Sequence, residues 1–367
     1  MNKPYFYILT GLLLWACMAE DPFPDHELPD LPELYEGVFI LNEGNYMYSN
    51  ASLSYYDIEE KRVYQDVFYN ANGLPLGDVA QSMVIRNGLA YIVVNNSGRI
   101  YIMDVNSFEF AGKITGLMSP RHIHFLDDEK AYVTDLYAQS IAIVNPETGE
   151  ITGSIDVTKE GGQFYQHSTE QMVSYENLVF ANSWSYDNSI LVIDTTTDEW
   201  IDTIEVLIQP ESMVSDKNDK LWVLTDGGFP GSPFGYEAPG LIRIDAASRE
   251  IEKVYRFELG DSPRSLRING SGDTLYFINR HVYRQPVASE ASPEIFIESP
   301  YADNPFGGYR VIGVDPVTSE LYVADAIDHV QPGIVYRFTP EALPVDTFPT
   351  GIIPGQIVFK SEPGTEN

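Results

Sequence analysis

The chain has one cysteine, Cys17, in 367 residues, and only 22 Lys and Arg against 54 Asp and Glu. A single thiol excludes an intramolecular disulfide and any cysteine-rich zinc or iron–sulfur site. A formal net charge of −32 without a basic run excludes nucleic acid as a partner, because counterion release needs clustered cations facing phosphates. An anionic membrane surface repels the same charge. No stretch keeps a 3.6-residue apolar period, so helix is nearly absent. Catalytic signatures are missing too: there is no Gly-x-Ser-x-Gly elbow, no His-Glu-x-x-His, no Gly-x-x-x-x-Gly-Lys and no Cys-x-x-Cys. What is present is apolar content of 44%, with 13% aromatic residues. That is enough for a large core and rules out a wholly disordered chain.

At the N-terminus Lys3 precedes an apolar run from Tyr5 to Ala16, the pattern of a secretory signal and too short to span a bilayer comfortably. The run ends in Leu14-Trp15-Ala16-Cys17. This resembles a bacterial lipobox, which implies that Cys17 is lipidated and becomes the mature N-terminus. Residues 18–34 hold six acids and prolines at 22, 24, 29 and 32, a stiff unfolded tether. An acidic stretch directly after a lipidated cysteine resembles the signal that sends Bacteroidetes lipoproteins to the outer face of the outer membrane. The expected organisation is a signal peptide at 1–16, a tether at 17–34, a folded domain at 35–360 and a flexible tail at 361–367. The membrane is then met through the lipid alone.

A short β-rich run ending in Asn or Asp recurs at Asn42, Asn95, Asp135, Asn182, Asp226, Asn279 and Asp325, with spacings of 53, 40, 47, 44, 53 and 46. Between these anchors lie alternating strands such as Ile100 to Asp104, Ile141 to Asn145, Ile190 to Asp194 and Leu241 to Asp245, followed by polar turns. Each unit reads as four short antiparallel strands, and seven such units predict an all-β, seven-bladed β-propeller. Gln356 to Lys360 reads as an innermost strand without a successor, and Gly37 to Asn42 as a second strand without a predecessor. Pairing them closes the ring and removes two exposed edges. With Tyr132-Val133-Thr134-Asp135, Val192-Ile193-Asp194, Pro120-Arg121 and Pro263-Arg264, the repeats resemble those of the YVTN/YncE-like propellers. That likeness is specific for the fold and weak for function.

Strands of a blade run alternately up and down, so the loop after strand two and the loop entering the next inner strand emerge on one face. The first set of loops carries Tyr46, Tyr48, Asn96, Tyr137 and Gln139, then Trp184, Tyr186, Phe229 and Tyr236, then His281, Tyr283 and His329. The second set opens the inner strands with Gln81, Arg121, His122, Gln171, Glu211, Arg264, Arg310 and Gln356. Loop aromatics owe nothing to a core, so this face is the candidate ligand-binding surface, with the segment from Gly227 to Gly240 as a flap. His122 and His124 share a strand face, but two imidazoles need further ligands to hold a metal, and none is assigned. No catalytic residue is assigned either.

A surface lipoprotein with such a propeller resembles the cobalamin-capturing lipoproteins of the BtuG type, which pass the vitamin to a TonB-dependent outer-membrane transporter. The resemblance implies ligand capture without chemistry, with a corrinoid as ligand and no required cofactor. Two other readings stand beside it. One is a propeller hydrolase or lactonase with a channel metal near Glu211, and the other is a protein-interaction scaffold.

Overall fold

A computed structural model describes residues 36–161, 166–303 and 308–360. The expected signal peptide, the Cys17 anchor, the acidic tether and the 361–367 tail lie outside the described residues. Seven four-stranded antiparallel sheets form the seven blades of a propeller. The only helical pieces described are Val67–Asn72 and the short turn Asn95–Ser97.

The inner strands are Pro354–Lys360 in blade one, followed in blades two to seven by Ala80–Arg86, Pro120–Phe125, Thr169–Tyr175, Pro210–Ser215, Arg264–Ile268 and Tyr309–Val314. Each one packs beside the inner strands of both neighbouring blades, so the ring is closed. Blade one is composite, as the chain ends implied. Its inner strand comes from the C-terminus and pairs antiparallel with Gly37–Asn42, from Gly37 opposite Lys360 to Leu41 opposite Gln356. The apolar cores lie between blades. Phe180 and Val192 of blade four meet Val223 and Ile242 of blade five, and Val38 and Tyr56 of blade one meet Tyr322 and Val335 of blade seven. Sheets stacked in this way bury both faces of their middle strands. This explains why second strands such as Ala131–Asp135 are buried at every residue.

In several blades the repeated Asn or Asp closing the second strand ties loops to the entrance of an inner strand. The Asn95 Nδ2 amide donates to the Pro120 carbonyl at 3.1 Å, and Asn182 Nδ2 to that of Pro210 at 2.6 Å. Asp135 accepts from the Ser119 and Tyr137 amides at 2.7 and 2.9 Å. The sequence period therefore marks a loop-fixing group.

Two placements differ from the sequence expectation. His281 and Tyr283 belong to strand His281–Pro286 and not to a loop, because Arg280 adopts a left-handed φ of 62° and turns the chain within a single residue. The Tyr283 ring stacks on Phe277, 5.4 Å between centroids, and joins the core between blades five and six.

Candidate functional site

In every blade the pairing of the inner strand with the second strand shifts register near its loop-face end. A β-bulge inserts an unpaired residue there and re-aims its side chain. The residues at this position are Gln81, Arg121, Glu170, Glu211, Arg310 and Gly355, while in blade six the shift falls one step later, after Arg264, which pairs with Ile278; their bonds run around the central channel mouth. Arg121 Nε donates to both Glu170 oxygens at 2.8 and 2.7 Å, and its Nη1 donates to Gln81 Oε1 at 2.7 Å. Arg310 Nη2 donates to the Glu43 carboxylate at 2.9 Å. Glu211 accepts from the Ser265 amide at 2.9 Å.

The residue after the bulge serves the ring itself. The Met213 amide donates to Gln171 Oε1 at 3.0 Å, and the Met83 amide to Gln356 Oε1 at 2.6 Å. Ser212 and Ser265 accept amides of the following blade in the same way. In blade three this position is His122, and Thr134 supplies the crossing bond instead, donating to the Glu170 carbonyl at 2.7 Å. Gln171 and Gln356 are thus held by neighbouring inner strands, while Glu170 and not Gln171 occupies the channel mouth in blade four.

Deeper in the channel lie His122, His124 and Arg267. Burial, followed by the charges of Arg121 and Arg267, pushes the His122 imidazole down to about 3. Burial alone brings His124 to about 4. Arg267 comes from a blade three places round the ring, so its influence on His122 acts across the channel. Burial lowers Arg267 as well, against the pull of Glu211. Glu170 is raised by burial, opposed mainly by Arg121. Both histidines should therefore stay neutral in an NMR pH titration until well below the ordinary histidine pKa of about 6.5. Because their folded pKa values are depressed, the stability they contribute is complete above that ordinary value and is lost as pH falls towards the folded values. A His122 or His124 signal titrating near neutrality would contradict this burial.

On the rim the loop aromatics divide. Tyr46, Tyr48, Tyr137 and Phe229 are 65%, 77%, 52% and 45% exposed. Tyr186 is half-buried, edge-on to Phe229 at 6.1 Å. Trp184 is half-buried and its indole N–H donates to Asp226 Oδ2 at 2.8 Å. Burial raises the Asp226 carboxyl, with that bond opposing. Tyr236 is half-buried within the Gly227–Gly240 segment, where it bridges to Gly228. His281 Nδ1 accepts the Ser299 amide at 3.0 Å, and Asn96 donates to Asp78. Gln139 and His329 both adopt left-handed backbone, φ 53° and 63°. His329 is lowered by burial and then by the Arg310 charge. Three residues of this site were not picked out from the sequence: Glu170, Glu43 and Arg267. Aligning Thr-Glu-Gln-Met with Pro-Arg-His-Ile and Pro-Glu-Ser-Met would have placed Glu170 in register with Arg121 and Glu211.

Among the described residues no group of three or more His, Cys, Asp or Glu side chains is placed to hold a metal ion. No described helix is long and apolar enough to cross a membrane.

Residues 36–338 match a family model described as a domain of unknown function, DUF5074. No curated protein matches the chain. Among solved structures, a quinonprotein alcohol dehydrogenase-like protein from Bacteroides thetaiotaomicron is similar with a TM-score of 0.64 and 14% identity, over 89% of this chain and 79% of that one. Dihydro-heme d1 dehydrogenase NirN in complex with DHE is similar with a TM-score of 0.59 and 10% identity, over 92% and 78%. Kuenenia stuttgartiensis hydrazine synthase gives 0.59 and 15%, over 73% and 85%. At these identities the likeness is one of fold.

Proposed function

Because the chain belongs to the DUF5074 family, which brings a fold but no activity, we propose from the loop face itself that it is a ligand-capture module. One observation carries this reading. The strongly exposed large apolar side chains of the described loops gather on one face, at Tyr46, Met47, Tyr48, Met118, Tyr137 and Phe229, while the opposite face offers only Val317 and Leu343. Leu259, Tyr301 and Val330 extend the same rim. An apolar rim around a polar mouth fits a large ligand that lies across the propeller end. Stacking rings suit a broad planar ligand.

The ligand we propose is a corrinoid, bound without turnover and passed to a TonB-dependent transporter, with Cys17 as a lipid anchor at the outer membrane. These finer points rest on the sequence resemblance and on the Leu14-Trp15-Ala16-Cys17 motif. The purified full-length chain should bind cobalamin one to one in a calorimetric or spectral titration. Tyr137→Ala and Phe229→Ala should each weaken binding by about 1–3 kcal/mol while leaving thermal unfolding unchanged. Absence of binding to any corrinoid sinks the corrinoid assignment. Equal binding by both variants sinks the rim as the contact surface. The anchor has its own check: expression in a bacterial host should leave the chain in the membrane fraction, and Cys17→Ala should release it.

A further inference from the structure

The arginines at the loop-face ends of the inner strands are not equally satisfied. Arg121 is neutralised by Glu170 at 2.7 Å and Arg310 by Glu43 at 2.9 Å. Arg264 opens the inner strand of blade six, opposite Ile278 and directly before the bulge, half-buried, and its one hydrogen bond is a long contact of 3.4 Å from Nη2 to Ser262 Oγ. One turn of strand deeper, Arg267 uses Nη1 to reach the Leu266 carbonyl at 2.8 Å. Among the described residues no carboxylate lies within 4.0 Å of either guanidinium.

In a chain with 54 acids and 22 Lys and Arg, most cations of the described residues do meet a carboxylate. Elsewhere cations find partners readily: Arg337 meets Glu320 at 2.6 Å and Arg249 meets Asp202 at 2.7 Å. Glu211, the acid at the neighbouring bulge, is turned instead towards the Ser265 amide at 2.9 Å. The Arg264 charge is felt by its surroundings, since together with Arg310 it helps hold the His329 imidazole below its ordinary value, after burial. A half-buried guanidinium with most of its donors unused is a site for a planar or tetrahedral oxyanion, which it can hold through two parallel bonds. The net charge of −32 disfavours anions in general, so an arginine that holds one would select ligands by where they carry their negative group.

We propose that Arg264, backed by Arg267, receives a carboxylate or phosphate group of the captured ligand, so that the ligand combines a large apolar body on the rim with an anionic arm in the channel mouth. This rests on the capture reading for the body of the ligand, but not for the anion site itself. The test uses the purified full-length chain at low ionic strength, with inorganic phosphate and succinate as probes, followed by calorimetry and by the shift in thermal unfolding. Wild type should bind one anion per chain. Arg264→Gln should weaken that binding at least tenfold, Arg264→Lys should restore part of it, and Arg249→Gln should change nothing. Preference between phosphate and succinate identifies which oxyanion the arm carries. Failure of wild type to bind either probe overturns the proposal, as does equal binding by Arg264→Gln. A chain that binds phosphate through Arg264 but no corrinoid loses the corrinoid assignment and keeps this site. A chain that binds a corrinoid with unchanged affinity after Arg264→Gln keeps capture and loses this site.

Discussion

Removal of the last inner strand, by ending the chain at Ile353, should abolish cooperative folding and not merely lower the melting temperature. Strand Pro354–Lys360 supplies the whole inner edge of blade one and is the sole partner of Gly37–Asn42 on that side. Ile357 and Phe359 fill the core shared by blades one and seven. Gln356 provides the bond to the Met83 amide that joins blades one and two. Without the strand, the flanking inner strands Tyr309–Val314 and Ala80–Arg86 lose their shared neighbour, and Gly37–Asn42 becomes an open, apolar edge. An edge of that kind invites aggregation. The combined loss exceeds the roughly 5–15 kcal/mol that a folded domain holds in total. Far-UV circular dichroism on heating, together with gel filtration, reads the outcome. A sigmoidal transition within a few degrees of the intact chain would show that the ring does not depend on its closure. Ile357→Asp is the milder test. Ile357 is 4% exposed, and an unpaired carboxylate in that core should cost several kcal/mol, about the range seen for buried polar groups without partners.

The closure was legible in the sequence because both chain ends carried half of a unit whose period could be counted. The Asn or Asp period is physical because most of these groups fix the loop that leads into an inner strand, as Asn95, Asp135 and Asn182 do, while Asn42 ties blade one to Thr350 of blade seven and Asp226 holds Trp184. The channel mouth was harder to read. Alternation along a strand predicts faces only while the period of two holds, and the bulge breaks it where the functional side chains sit. Thus Gln171 looked like the channel residue of blade four, whereas the extra residue turns Glu170 inward and sends Gln171 to the Met213 amide. Tyr283 looked like a loop aromatic because no turn signal of Gly, Asn or Asp type marks Arg280 as the turning residue. The rim aromatics Tyr46, Tyr48, Tyr137 and Phe229 were readable as loop residues. Neither their exposure nor the half-burial of Trp184 with its bond to Asp226 could be read without the fold.

The second large effect concerns the buried ion pair at the mouth. Arg121 and Glu170 are 13% and 6% exposed, and the pair is completed by Gln81. Replacing such a pair as a unit costs little, but deleting one member strands the other charge in a poorly solvated place. Arg121→Ala should therefore destabilise the fold by about 3–5 kcal/mol above neutral pH. The stranded carboxylate also lies within reach of the Glu211 and Asp135 charges, and burial already raises it against the pull of Arg121. With that guanidinium gone, Glu170 rises further. A carboxyl whose folded pKa exceeds its unfolded one contributes stability that is full below the unfolded value and lost as pH rises through the folded value. The deficit of Arg121→Ala relative to wild type should accordingly shrink as pH falls from about 8 to about 5, where the stranded carboxyl takes up its proton. Adding Glu170→Gln should remove both the pH dependence and much of the deficit, because a neutral amide can be buried at lower cost. Urea unfolding of the three chains at the two pH values decides the point. A deficit of equal size at both, or one that Glu170→Gln leaves intact, would mean that Arg121 acts by filling space and not by neutralising Glu170.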